Sequence, residues 1–200
     1  MKIQKYNSYD EYKSIQKETY KNKLLKSPNR SFATNKELNI IVNALKEKSD
    51  LSFGICQGVR SGFEVEYLRN YLDIEVVGTE IGDIPPEQKN VIQMDFHDYN
   101  AEWDSKADFI YTNSLDHSYD PIKALTVWSR YLKPNGYFFI TWTMSHSEKN
   151  MNNEYGDIFG ASLKEYITLL EKFGTVVRKT KFKRLKFKNC FVIQVSDIKG

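Results

Sequence analysis

The apolar positions of this chain change spacing near residue 50. Over residues 9–26 the sequence is polar and Lys-rich, with Tyr12, Ile15, Tyr20 and Leu24 as a thin stripe at helical spacing. Ser27-Pro28-Asn29-Arg30 interrupts that helix. Thr34-Asn35-Lys36-Glu37 then has the form of a capping box, in which hydroxyl and carboxylate each satisfy the other residue's amide. Leu38, Ile41, Val42 and Leu45 follow on one helical face. Residues 1–48 are therefore expected to be a helical preface packed on a later sheet, with a substrate cover as the sharper alternative.

Beyond residue 49 short apolar runs alternate with helical stretches. Strands are expected at 51–56, 74–79, 91–94, 109–112 and 137–142, and helices at 63–71, 120–132 and 162–173. Asp120-Pro121 supplies an N-cap and first-turn proline, Pro134-Asn135-Gly136 a stop, and Ser162-x-x-Glu165 a second capping box. Residues 175–182 and 185–195 close the chain as a hairpin. This alternation implies right-handed crossovers and a mainly parallel α/β sheet with helices on both faces. Ligands in such sheets bind beyond the carboxyl ends of the strands.

The composition narrows the class without naming a function. With 200 residues, 40% hydrophobic and 28% charged, the chain suits one ordinary domain and is neither disordered nor low-complexity. No apolar run reaches membrane-spanning length, and residues 1–6 lack the apolar stretch of a secretory signal. Cys56 and Cys190 are far apart and have no metal-ligand spacing, so a reduced, cytoplasmic setting is expected. A net charge of +3 does not describe a dedicated nucleic-acid binder. Residues 179–188 hold six basic residues interleaved with Phe182, Leu185 and Phe187. That run reads as a solvated edge hairpin before it reads as an RNA-contacting ribbon.

The chemistry-bearing residues collect at the strand ends. Gly54-Ile55-Cys56-Gln57-Gly58-Val59-Arg60-Ser61-Gly62 forms the first turn, where glycine lets backbone amides approach a ligand. Glu80 stands 22 residues after Gly58 at the end of the second strand, a position from which a carboxylate accepts ribose hydroxyls. The third strand ends in Asp95-Phe96-His97-Asp98. The fourth runs into Thr112-Asn113-Ser114-Leu115-Asp116-His117-Ser118, a polar cluster that needs either a local network or a ligand.

This ordered set, with the Leu132-Lys133-Pro134-Asn135-Gly136 turn and the closing hairpin, resembles the class I S-adenosylmethionine-dependent methyltransferases over about residues 36–196. Leu115-x-His117 followed by Asp120-Pro121 is similar to the small-molecule branch. The resemblance implies a Rossmann-like, seven-stranded sheet with a reversed last strand, and S-adenosylmethionine as cofactor. It also implies that Gly54, Cys56 and Gly58 line the methionine moiety, Glu80 binds the ribose, and Ile81 packs near the adenine. Asp95 and the Phe96 amide would meet the adenine edge, with Asn113 and Ser114 beside the sulfonium. The family places an acid where Gly54 stands and glycines where Cys56 and Arg60 stand, which leaves the methionine ammonium to Asn113 or Glu64.

Methyl transfer to a hydroxyl is aided by a base near the transferred group. His117 is the first candidate and His146 the second, while His97 is expected to order the third-strand loop. Arg60 and Trp142 are candidates for holding the acceptor, and the polar loop 144–161 for a lid. The histidine spacings predict no metal. A small-molecule or sugar-type acceptor is expected, with no membrane or nucleic-acid partner and with a homodimer as one assembly. A non-catalytic binding domain and a nucleic-acid methyltransferase are the competing readings.

Overall fold

A computed structural model describes residues 1–28, 30–151, 156–184 and 187–199, the side chains of Phe187 and Lys188 excepted. The N-terminal residues form β1 (Lys2–Ile3), α1 (Tyr9–Lys26) and α2 (Asn35–Leu45). Then come β2 (Phe53–Gln57), α3 (Phe63–Leu72), β3 (Glu75–Glu80), β4 (Val91–Gln93) and β5 (Ala107–Thr112). The chain finishes with α4 (Pro121–Tyr131), β6 (Leu132–Trp142), β7 (Phe159–Gly160), α5 (Leu163–Leu170), β8 (Thr175–Arg184) and β9 (Phe187–Ser196).

Seven strands make one sheet in the order β4-β3-β2-β5-β6-β9-β8. Strands β2 to β6 are parallel neighbours, and β9 runs antiparallel to both β6 and β8. Side chains alternate across the sheet, so successive residues of β5 serve opposite cores. Phe109 and Tyr111 join Leu38, Ile41, Leu45, Val65 and Leu68 under α2 and α3. Ile110 joins Leu125, Trp128, Tyr166 and Leu169 under α4 and α5.

Local signals in the sequence fix most element starts. Thr34 and Glu37 form a complete capping box, as do Ser162 and Glu165, and Asp120 accepts from the Lys123 amide. The Glu37 carboxylate does more than cap. Its Oε1 accepts from Tyr111 (2.7 Å) and Thr141 (2.5 Å), tying α2 to two sheet strands.

Two features depart from the sequence expectation. Helix α4 ends at Tyr131, because Leu132 is already extended and pairs with Ala107; the Asn135 turn (φ 67°) is an irregularity within β6. The second is a small sheet in which Lys2 and Ile3 pair with Gly160 and Phe159, stitching the N-terminus to the segment after β6. Leu185, Lys186 and Asn152 to Tyr155 lie outside the described residues, as do the Phe187 and Lys188 side chains. The closing hairpin itself is present, with Phe182, Ile193 and Val195 turned inward.

Candidate functional site

The carboxyl ends of β2, β3, β4 and β5 open into a pocket of about 670 Å³, open solvent at its mouth included. Helix α1 lies across it. Its buried residues are Tyr12, Gln16 and Tyr20, spaced by four and facing the pocket as one stripe. The sequence stripe named Ile15 and Leu24, which are only half-buried, and missed Gln16, because a buried amide leaves no trace in an apolar pattern. Of the two readings of residues 1–48, α2 meets the sheet-packing one and α1 the cover.

Arg60 fastens that cover. Its Nη2 donates to the carbonyls of Ser27 (2.7 Å) and Lys23 at the end of α1, each of which also accepts a backbone amide. At this position Arg60 therefore serves the cover, although it also lines the pocket. Tyr20 packs its ring directly on Gly82, where a Cβ would fall within the ring.

The strand-end turns hold one another by hydrogen bonds. Ser114 Oγ donates to the Gly58 carbonyl at 2.9 Å, and a Cβ at Gly58 would lie 2.7 Å from Ser114 Cβ. With φ at +71° this position requires glycine. Thr112 Oγ1 donates to the Gln57 carbonyl (2.8 Å), and Thr79 donates to Gln57 Oε1 (2.5 Å). Asn113 Nδ2 lies buried with no hydrogen-bond partner among the described residues.

Three buried acids stand around this pocket with carboxyls pushed up to about 7, in each case first by burial. Glu80 lines the pocket and accepts from the Ile81 amide at 2.8 Å. Glu64 also lines it, with only a 3.5 Å contact from the Ser31 hydroxyl. Asp116 is the third; its Oδ1 has no hydrogen-bond partner among the described residues and its Oδ2 is 3.6 Å from His146 Nε2. Asp95 differs. Burial raises its carboxyl, but hydrogen bonds and charge from His97 and a hydrogen bond from Tyr9 hold it below the usual range. His97 Nε2 meets Ser118 Oγ at 2.7 Å, so His97 orders the loop after β4, as expected from the sequence.

His117 lines the pocket and is held well below its usual pKa by burial and by the charge of Lys23, so the imidazole is neutral. Gln16 Nε2 donates to the Gly156 carbonyl at 3.1 Å, which turns Gln16 Oε1 toward His117 Nδ1, 3.2 Å away. That arrangement assigns the imidazole proton to Nδ1 and the lone pair to Nε2. His146 is also neutral, lowered to about 4 by burial, but it sits behind Asp116 and does not line the pocket. Asp116, His117 and Asp157 bring one metal-ligand-type atom each within 4.8 Å. The histidine spacings behind the no-metal expectation do not reveal this grouping, because Asp157 arrives by tertiary contact.

Other sequence candidates fall elsewhere. Gly54 and Cys56 are interior strand residues and do not line the pocket. The space beside Gly54 that an acid would need is filled by the Phe109 ring. Trp142 is core, its Nε1 donating to the Ala161 carbonyl at 2.9 Å. Gly58, Glu80, Ile81, Asp95, Phe96, Asn113, Ser114 and His117 are brought together around one pocket.

Residues 55–140 match the family model described as a methyltransferase domain, a span running from within β2 to within β6. Over these residues the chain is similar to the methyltransferase-domain family. The fold comparisons agree. A 1,6-didemethyltoxoflavin-N1-methyltransferase from Burkholderia thailandensis, solved with 1,6-didemethyltoxoflavin and S-adenosylhomocysteine, superposes with a TM-score of 0.79 at 13% identity, covering 98% of this chain and 93% of that one. A SAM dependent methyltransferase from Aquifex aeolicus gives 0.58 at 21% identity, covering 90% and 98%. One from Archaeoglobus fulgidus gives 0.56 at 14%, covering 80% and 94%. No curated protein matches the sequence. Helix α1, with Gln16 and Lys23, lies outside the matched span.

Proposed function

We propose that this methyltransferase, acting in the cytoplasm, transfers the methyl group of S-adenosylmethionine to a hydroxyl oxygen of a small-molecule or sugar-type acceptor, with His117 as the general base. One observation carries the reading of the base: His117 is a neutral imidazole in the pocket wall whose Nδ1 is occupied by Gln16, leaving Nε2 as a proton acceptor.

The pocket residues fit the cofactor. When bound, S-adenosylmethionine supplies an electrophilic methyl group on a sulfonium. Glu80 is a buried acceptor suited to the two ribose hydroxyls, with Ile81 and Phe96 as apolar walls for the adenine. Asn113 offers its unpaired Nδ2. Glu64 replaces the acid missing at Gly54 as the carboxylate nearest in kind for an ammonium, and its burial favours a cationic occupant. Asp95 keeps acceptor capacity beyond its bonds to His97 and Tyr9, because each carboxylate oxygen accepts twice.

The chain's own contribution to turnover is alignment and proton management. Displacement at a methyl group needs nucleophile and leaving group in line, which a pocket closed by α1 promotes by fixing the acceptor and shedding water. His117 Nε2 takes the hydroxyl proton, and the Asp157 carboxylate, 3.8 Å from that nitrogen, favours the imidazolium that results.

Calorimetric titration with S-adenosylhomocysteine tests the cofactor reading. Micromolar binding that Glu80→Ala weakens at least tenfold, with the unfolding midpoint nearly unchanged, is the expected result. A folded protein that binds neither S-adenosylmethionine nor S-adenosylhomocysteine would instead favour a binding domain without catalysis, the reading that the missing acid at Gly54 supports. His117→Ala is expected to keep cofactor affinity while losing most turnover on any acceptor found by screening.

A further inference from the structure

Four cationic side chains from different parts of the chain surround the ring of Phe32 in the pocket wall. Lys23 Nζ lies 5.8 Å from the ring centroid, and the Cζ atoms of Arg30, Arg60 and Arg184 lie 5.5, 5.7 and 5.4 Å from it. They come from the end of α1, the loop before α2, the turn after β2 and the end of β8. No sequence pattern joins them.

Arg184 is the decisive member. It is only 8% exposed, yet among the described residues its guanidinium makes no hydrogen bond and no ion pair, and its Nη2 is fully buried. Glu64 and Asp116 feel its charge, and Glu37 acts with it on Tyr111. None lies in ion-pair range of it among the described residues, and Glu37 is already engaged by Tyr111 and Thr141. Arg60 Nε is likewise buried without a partner, its Nη2 being committed to α1. The face of Phe32 attracts cations but offers no lone pair to their N–H groups. A guanidinium buried in this state calls for an acceptor with charge and several oxygens.

We infer that Arg184, Arg60 and Arg30 form an oxyanion subsite beside the methyl-transfer pocket that takes a phosphoryl group carried by the acceptor. This rests on the methyltransferase reading of the pocket and adds the acceptor's class: a phosphorylated small molecule. A phosphoryl group is favoured over a carboxylate because it brings close to two negative charges and three acceptor oxygens, which matches several converging cations. Planar guanidinium forks bind phosphate oxygens in pairs. Lys23 adds positive charge on the pocket side.

The test is calorimetric titration of the full-length protein, saturated with S-adenosylhomocysteine, with inorganic pyrophosphate at low ionic strength. Binding is expected, weakened at least tenfold by Arg184→Met and severalfold by Arg30→Ala, with S-adenosylhomocysteine affinity changed less than twofold in either. Absence of pyrophosphate binding, or binding indifferent to both substitutions, overturns the proposal. The cofactor's own methionine carboxylate is the other source of an oxyanion, and 5′-methylthioadenosine, which lacks that tail, separates the two. If Arg184→Met weakens S-adenosylhomocysteine but not 5′-methylthioadenosine, the cations serve the cofactor and the inference fails. If neither nucleoside binds the wild-type protein, the cofactor reading fails while the pyrophosphate titration still judges the subsite. Should Arg184→Met not fold, Arg184→Lys and the exposed Arg30→Ala carry the comparison.

Discussion

Gln16 on the covering helix and His117 beyond β5 face each other across 3.2 Å, amide oxygen to imidazole Nδ1. The contact joins residues 101 positions apart and links the segment outside the methyltransferase match to the proposed base. Nitrogen-15 spectra of the imidazole should place the proton of wild-type His117 on Nδ1. In Gln16→Leu that preference is expected to weaken, and turnover to fall with its pH profile displaced. A wild-type spectrum with the proton on Nε2 would sink the assignment.

Gly54 stands where the sequence resemblance implies an acid, and the Phe109 ring occupies the space beside it. Gly54→Asp is therefore expected to destabilise the fold by about 2 kcal/mol or more, the scale of overpacking plus an unpaired buried charge. Urea unfolding measures it. A stable Gly54→Asp protein with tighter S-adenosylhomocysteine binding would show the space to be available after all.

Arg60 couples the first strand turn to the cover through the Ser27 and Lys23 carbonyls. Charge-assisted hydrogen bonds of this kind contribute about 1.5–3 kcal/mol. Arg60→Ala should speed proteolysis and amide exchange within α1 far more than within β5, and weaken S-adenosylhomocysteine binding. Equal protection of α1 in both proteins would refute the fastening role.

Glu64 gives a pH dependence with a definite sign. Its carboxyl, ordinarily near 4.5, is pushed up to about 7 by burial, so the folded protein retains a proton that the unfolded chain releases. Stability from this group declines as pH rises from about 4.5 to 7. Glu64→Gln removes the decline and should gain on wild type over that window by about 3 kcal/mol at most. His146, lowered from 6.5 to about 4, acts oppositely below pH 6.5, which makes the difference between variant and wild type the quantity to follow. Parallel Tm curves for the two proteins would place the Glu64 carboxyl at an ordinary pKa.

Much of the scaffold is written locally. The Thr34–Glu37 and Ser162–Glu165 boxes, Asp120-Pro121 and the alternation of short apolar runs act within a few residues, so they can be read without a fold. The order of polar strand ends is legible for the same reason: a parallel sheet brings every carboxyl end to one edge, and Gly58, Glu80, Asp95 and Asn113 meet there. Trp142 and Cys56 misled because strand-end position does not say which face a side chain takes, and both face the core.

What the sequence by itself determined was the α/β sheet, its reversed last hairpin and the strand-end set of the pocket, all products of short-range periodicity and turn chemistry. Only the tertiary structure decided that α1 closes the pocket, that Gln16 orients His117, that the Phe109 ring fills the space beside Gly54, and that Arg30, Arg60 and Arg184 meet around Phe32. Each of these joins residues tens of positions apart. Such contacts depend on burial and on the partner found there, which no local pattern encodes.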